Sequence, residues 1–337
     1  MKDLIATILS GATLSEEEAQ RLLDGLTADD VDPAMAAAAL AGMRTRGETP
    51  AELRGFARGL QRIAVRPEIA DVSTAVDVVG TGGDASGSLN LSTGAALLAA
   101  AAGAHVIKHG NRSVSSRSGS FDVLAALGLD VPWDPSRAGA MFEATGFTYL
   151  FAPTFHPSMK AVAPVRQALG TRTIFNLVGP LANPAQTPYL VVGAFSSESA
   201  EMMAQTLSGM SITRAYVVHG EPGWDEPTPI GPYVLHEVTP GAVVNRIEDP
   251  ADFGFDRCEA EDLVGADPAH NAAAIRDVFS GAVGPHREAL ILGASLALRV
   301  TGSPAEQAIQ RVRGALDEGA ATDLLARLTI RQETARV

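Results

Sequence analysis

Twice between Val76 and Gly128 the chain passes from a β-branched run, through a glycine- and hydroxyl-rich stretch, into an apolar helix former. Few folds accept that repeat. The first unit is Val76-Asp-Val-Val-Gly-Thr-Gly-Gly-Asp84, a Gly/Ser loop to Asn90, and an Ala-rich helix opened by Ser92-Thr93. The second is the strand His105-Val-Ile-Lys108, a polar loop beginning at His109, and a helix from Ser120. Strand, loop and helix in tandem predict a parallel sheet. The two loops would then lie side by side at the carboxyl ends of neighbouring strands, where open α/β sheets bind ligands.

The chemistry of the loops narrows the ligand. Helix starts present unpaired N–H groups and a positive dipole end, which suit phosphate. Gly80, Gly82, Gly83, Gly87, Gly110 and Gly119 let backbone approach a ligand or take positive φ. Lys108, Arg112 and Arg117 add positive charge, and the serines and threonines add donors. Either loop alone could be an ordinary βα turn. Two together, with a lysine ending the second strand, imply a large polyphosphate ligand.

Composition excludes several classes. A chain of 337 residues, 46% hydrophobic and 19% charged, has an ample core and is not disordered. A formal net charge of −13 argues against a nucleic-acid binder, which needs a basic face. A lone cysteine, Cys258, excludes an intramolecular disulfide and a cysteine-rich zinc site. The amino terminus has no secretory pattern, and the most apolar stretch, Gly94–Ile107, is too short to span a bilayer, so the expected location is the cytoplasm.

Read in order, residues 2–66 are helical throughout. Ser15 before three glutamates and Thr49 before Pro50 and Glu52 are N-cap signatures. Four short helices without strands predict a small bundle. The expected fold is therefore α/β: a helical domain over 1–66, joined by part of 160–185, and a larger domain over 67–337 with a mostly parallel central sheet flanked by helices. Tyr189–Gly193, Ala215–Gly220 and Tyr233–Val238 supply further strands, with a helix from Ser197 to Met210. Ser136 is the expected cap of a helix ending near Thr145. Met159–Leu169 reads as one helix kinked near Pro164.

The literal strings Gly80-Thr-Gly-Gly-Asp84, Asn90-Leu-Ser-Thr93 and Lys108-His-Gly-Asn-Arg-Ser-Val-Ser-Ser116 resemble the anthranilate phosphoribosyltransferases, as do His156-Pro-x-Met-Lys160 and Arg172–Pro184. The resemblance implies transfer of a 5-phosphoribosyl group from phosphoribosyl pyrophosphate to the amine of anthranilate, by a homodimeric enzyme using two Mg²⁺ ions. Donor contacts carried over are Gly80, Gly83, Asp84, Ser88, Asn90, Leu91, Ser92, Thr93, Lys108, His109, Gly110, Asn111, Arg112, Ser113, Val114, Ser115, Ser116 and Ser120. For the acceptor they are Gly80, Asn111 and Arg166, the last because a guanidinium fork matches a carboxylate. An Asp-Glu pair in a loop is ordinarily solvated surface. Its similarity to the family's Gly-x-Asp-Glu motif assigns Asp225 to one Mg²⁺ and Glu226 to both, with the Ser92 hydroxyl completing the other site. Lys108 is the expected partner of the leaving group and His109 the candidate for a late proton. No strong base is required, since an aromatic amine is neutral at pH 7.

The same residues bear on two other readings. A nucleoside phosphorylase of the same fold, or a paralogue with another aromatic acceptor, would need a different acceptor pocket, and Val162–Arg166 with Asp225-Glu226 argues for a carboxylated acceptor and a diphosphate donor. A non-catalytic binder of phosphorylated metabolites would be expected to lose Lys108 or an acid. Trp224, Pro227 and Tyr233 depart from the family pattern near the acids.

Overall fold

The structure, a computed structural model, describes residues 1–112, 117–131 and 134–334. The chain opens with four helices: α1 (Lys2–Leu9), α2 (Glu16–Leu26), α3 (Pro33–Arg46) and α4 (Pro50–Ile63). Both expected caps form. Ser15 and Thr49 accept from the Glu18 and Glu52 amides, and each glutamate reaches back to its cap's own N–H. Glu52 does more: its fully buried carboxylate also accepts from Leu14 N at 2.9 Å and from the Arg46 guanidinium at 2.6 Å. One side chain thus caps α4, anchors the α1–α2 turn and neutralises α3's last residue.

The larger unit runs β1 (Ala75–Gly80), α5 (Leu91–Ala101), β2 (His105–Gly110), α6 (Ser120–Ala126), α7 (Pro135–Thr145), β3 (Phe147–Phe151), α8 (Ala152–Phe155), α9 (Ala163–Leu169) and α10 (Ile174–Val178). It continues through β4 (Tyr189–Gly193), α11 (Ser197–Ser208), β5 (Arg214–Gly220), β6 (Tyr233–Thr239), β7 (Ala242–Glu248), α12 (Pro268–Phe279), α13 (Pro285–Val300), α14 (Ala305–Asp317) and α15 (Ala320–Thr334). Among the described residues the sheet has seven strands in the order β3-β2-β1-β4-β5-β6-β7. β1 to β5 are mutually parallel, whereas β6 and β7 add an antiparallel hairpin at one edge. The order doubles back at β1, which puts a topological switch point at its carboxyl end.

Alternation along the strands feeds two cores. Val191, Tyr216 and Val218 face the side covered by α5, α13 and the last helices, while Leu190, Val192, Ala215 and Val217 face the side covered by α11 and the bundle. α5 is apolar all round, and α13 packs along it at a distance set by Gly94, where a Cβ would lie 2.7 Å from Leu290. Val162, Val165, Ile174, Phe175, Leu177 and Val178 belong to the bundle's apolar cluster, with Phe175 edge-on to Phe56 at 5.6 Å between ring centres.

Several local expectations shift. Asp134 rather than Ser136 caps α7, because the aspartate accepts from Arg137 N at 2.9 Å. Pro164 kinks nothing: it lies in the first turn of α9, where no backbone donor is needed, after a separate 3₁₀ turn over Pro157–Lys160. His109 and Gly110 belong to β2 and not to the loop after it, since their ladder partners are Leu150 and Phe151. β7 has no clear signature in the chain; Val244 and Ile247 on this edge strand are exposed.

Candidate active site

Val-Val-Gly, Val-Val-Gly and Val-His-Gly end three adjacent parallel strands at Gly80, Gly193 and Gly220. The reason lies in the loop after β5, which folds back over those ends. A Cβ on Gly80 would sit 2.5 Å from Asp225 Oδ2, one on Gly193 would overlap the Asp225 carbonyl, and one on Gly220 would overlap that of Glu226. Three missing side chains therefore make the floor on which the acidic pair rests.

The acids meet the two loops there. Asp225 Oδ2 accepts from Gly82 N at 2.6 Å, and Glu226 Oε1 accepts from Ser92 N at 2.9 Å, in the first turn of α5. Asp84 Oδ2 accepts from Asp225 N at 3.3 Å and its Oδ1 accepts from Ser86. Burial raises the pKa of both acids, to about 7 for Asp225, where Asp84 adds to the effect, and to about 8 for Glu226, where Asp225 does.

β1 and β2 pair only at Ala75 and Val76 and then part. Side chains fill the split. Lys108, buried, crosses it to donate to the Val78 carbonyl and lies 3.4 Å from Ser92 Oγ. Asp77 accepts from His109 N at 3.2 Å and from Asn183 Nδ2 at 2.8 Å, and Asn183 also donates to the Ile107 carbonyl. Burial raises Asp77 to about 6 against the pull of Lys108, and burial lowers the pKa of Lys108 against the nearby acids. Neither Asp77 nor Asn183 was singled out from the chain, because each is polar within an apolar segment and only the open ladder gives it work. A parallel strand carrying an aspartate at its centre was the available signal.

The second loop is tied to the first. Asn90 sends its side chain to the Ser118 carbonyl at 3.0 Å instead of capping α5, and Asn271 holds the Asn90 Oδ1 at 2.8 Å. Ser88 forms a bridge to Val264, while Leu91 and Thr93 are buried. Ser120 Oγ lies 2.8 Å from the Tyr149 hydroxyl and 3.2 Å from the Asn111 carbonyl, packed against Gly110, where a Cβ would collide with it. Arg112 stacks over Phe121 with 4.4 Å to the ring centre. Ser113, Val114, Ser115 and Ser116 lie outside the described residues.

On the other side, His109 and His156 stack edge-on at 5.2 Å. Burial lowers His109 to about 3, with His156 adding to it, and burial lowers His156 to about 4, so both rings are neutral at pH 7. His109 Nε2 and His156 Nδ1 have no hydrogen-bond partner among the described residues. Arg166 on α9 lies over the Phe175 ring at 5.1 Å, has no ion pair among the described residues, and is lowered in pKa by burial. A half-buried, unpaired guanidinium in a chain of net negative charge calls for an anion.

Asp77, Asp225 and Glu226 put three carboxylates near one buried lysine, and Asp84 lies against the acidic pair. Among the described residues no group of three or more His, Cys, Asp or Glu side chains is placed to hold an ion by itself. That donor set fits Mg²⁺, which takes one or two protein carboxylates and leaves its other positions to phosphate and water.

A helical bundle beside a parallel sheet, with acids, a lysine and two helix starts converging where phosphate binds, defines a glycosyltransferase of the two-domain type. The family described as "Glycosyl transferase family, a/b domain" matches residues 72–322, and its helical bundle domain matches 2–64. The chain belongs to the anthranilate phosphoribosyltransferases. It is 44% identical over 330 residues to the enzyme of that name from Rhodospirillum rubrum, covering 97% of this chain and 94% of the relative. For the Desulforudis audaxviator enzyme it is 40% identical over 334 residues, covering 97% and 95%. The crystal structure of the Thermus thermophilus enzyme superposes with a TM-score of 0.91 at 40% identity, covering 97% of this chain and 98% of that one. The Saccharomyces cerevisiae enzyme in complex with PRPP and Mg shares the fold, with a TM-score of 0.88 at 23% identity, covering 99% and 98%.

Proposed function

We propose that the chain transfers the 5-phosphoribosyl group of phosphoribosyl pyrophosphate to the amine of anthranilate, a step of tryptophan biosynthesis. The observation that carries this reading is the meeting of Glu226 with the Ser92 amide, beside Lys108, on the glycine floor at the switch point.

The donor's diphosphate would lie between the first loop (Gly80, Gly83, Asp84, Ser88), the start of α5 (Asn90 to Thr93) and the end of β2 with the residues that follow it (Lys108 to Ser116, with Ser120). Mg²⁺ bound by Asp225, Glu226 and the Ser92 hydroxyl, as two ions, would neutralise the diphosphate's charge as it leaves. Lys108 would supply positive charge beside it, the anionic diphosphate adding to the acids that oppose the lowering of its pKa by burial. Arg166 would pair with the acceptor's carboxylate, with Gly80 and Asn111 touching its ring or amine.

The reaction forms a bond from the amine nitrogen to ribose C1 and breaks the bond from C1 to the diphosphate oxygen; the amine loses one proton. His109, held neutral with a pKa near 3, is a poor base but an available acceptor through Nε2. The residues therefore work by placing the two substrates in line and by stabilising the departing charge. The bundle provides the surface of a homodimer, and the exposed Leu9 on α1 suits that role. The domain division is drawn at residues 66–67, with part of 160–185 belonging to the bundle. No helix among the described residues is long and apolar enough to cross a membrane, and the enzyme is assigned to the cytoplasm.

The test is direct. Protein, Mg²⁺, phosphoribosyl pyrophosphate and anthranilate together should extinguish anthranilate fluorescence, and omission of any one should preserve it. Undiminished fluorescence in the complete mixture refutes the assignment.

A further inference from the structure

We infer that Arg172 is a positioning residue for the donor loop, and that it acts from the segment that carries the acceptor arginine. This rests on the proposed donor role of Gly80–Asp84. Arg172 belongs to the short connection between α9 and α10, three residues past the end of Arg166's helix. Its guanidinium is stacked on the Phe195 ring, 3.8 Å from the ring centre, and donates to the Gly83 carbonyl. No carboxylate pairs with it among the described residues.

The far side of the same loop is held as well. Phe195 N donates to Thr81 Oγ1 at 3.1 Å, and Thr81 N donates to the Gly193 carbonyl at 3.0 Å. Phe195 and Arg172 therefore grip the loop at Thr81 and Gly83, on either side of the amide that meets Asp225. Gly83 itself takes φ +71°, and a Cβ there would come 3.1 Å from Arg172 Nη2. Positive φ and the neighbouring guanidinium both call for glycine at that position.

The other end of the strut is equally fixed. Thr173 N donates to Asn176 Oδ1 at 3.0 Å, closing the first turn of α10, and Ile174 and Phe175 are buried in the bundle's cluster. Phe175 carries Arg166 on its face. One rigid unit thus holds the acceptor arginine at one end and steadies the donor loop from the other. The stack matters because an exposed arginine is costly to order, and a planar ring beneath it removes most of that freedom. A lysine can neither lie flat on Phe195 nor present a fork.

Steady-state kinetics with the purified enzyme, varying each substrate at saturating Mg²⁺, tests the inference. Arg172→Ala should raise KM for phosphoribosyl pyrophosphate on the order of tenfold, as for loss of one charge-assisted hydrogen bond. KM for anthranilate should stay within about twofold, because Arg166 keeps its seat on Phe175. Arg172→Lys should behave like the alanine variant, and Arg172→Gln should recover part of the loss by donating to Gly83. Phe195→Leu should raise the same KM, and its combination with Arg172→Ala should be no worse than Arg172→Ala alone. Thermal melts should be nearly unchanged for Arg172→Ala. An unchanged donor KM in that variant overturns the inference, and so does a lysine variant close to wild type, which would make Arg172 a direct charge on the donor. Loss of kcat and of both KM values together with a fall in Tm would reduce it to a structural residue. A wild-type enzyme without turnover would instead refute the assigned reaction, so the two failures are distinct.

Discussion

Gly193→Ala is the sharpest test of how the acidic loop is held. Gly193 is not in the left-handed region, so alanine adds no backbone strain, and the effect is one methyl group meeting one peptide. That methyl would overlap the Asp225 carbonyl oxygen, with the carbonyl carbon 2.7 Å away, closer than packed carbons tolerate. β4 is a buried central strand, paired on both sides, and cannot yield. The Asp225 main chain must retreat by roughly an ångström. Mg²⁺ accepts oxygens only near 2.0–2.1 Å in close to octahedral geometry. A misplacement of that size costs on the order of 10²-fold in rate, or about 2.7 kcal/mol of barrier. The stability cost of overpacking, about 1–3 kcal/mol, should lower Tm by only several degrees. Initial rates of anthranilate consumption across a Mg²⁺ series, beside a melt, separate the two. The expected result is a fall of about 10² in kcat and a higher Mg²⁺ requirement in a folded protein. Gly293→Ala, a tight contact with Ala95 between α5 and α13, should destabilise without altering the Mg²⁺ dependence. If Gly193→Ala keeps a rate within about threefold of wild type and the same Mg²⁺ dependence, the glycine floor does not position the acids.

Three further outcomes are expected. Arg166→Gln should raise KM for anthranilate by about tenfold or more and leave that for the donor unchanged, since it removes the half-buried guanidinium offered to a carboxylate; equal effects on both substrates would contradict the assignment. Glu248 lies between Arg299 (2.6 and 2.8 Å) and the Tyr233 hydroxyl (2.6 Å), partners that hold its pKa down near 2 despite burial. A depressed carboxyl contributes stability above its unfolded value near 4.5 and loses it as pH falls toward 2, so Glu248→Gln should cost about 3 kcal/mol at pH 7 and much less near pH 2.5 in denaturant melts. A gap independent of pH would refute that linkage. Glu52→Ala should lower stability by about 3 kcal/mol or more, because it strands Arg46 and the Leu14 amide in the bundle, while Glu18→Ala, at an exposed cap, should cost far less; equal losses in parallel melts would show that burial of Glu52 is immaterial.

Local signals carried much of the architecture. The caps at Ser15 and Thr49 are short-range hydrogen-bond patterns, and they form where the spacing places them. The strand–loop–helix repeat from Val76 predicts parallel neighbours, and β1 and β2 are neighbours. β7 escaped because an exposed edge strand needs no apolar alternation, only a partner, and that partner is the whole length of β6. The kink assigned to Pro164 failed for a related reason: a proline marks a helix start as readily as an interruption, and only the preceding 3₁₀ turn tells which.

Alone, the chain determined its residue chemistry and its short-range order: which loops could face phosphate, which helices were capped, and which acids stood together. Those depend on neighbours a few positions apart. What tertiary structure decided is the meeting of distant pieces. Gly193 and Gly220 become a floor only when β1, β4 and β5 lie adjacent; Asp77 and Asn183 acquire partners only because β1 and β2 part; Arg172 reaches Gly83 across 89 positions of chain. Contacts of that kind are fixed by packing, and no local periodicity encodes them.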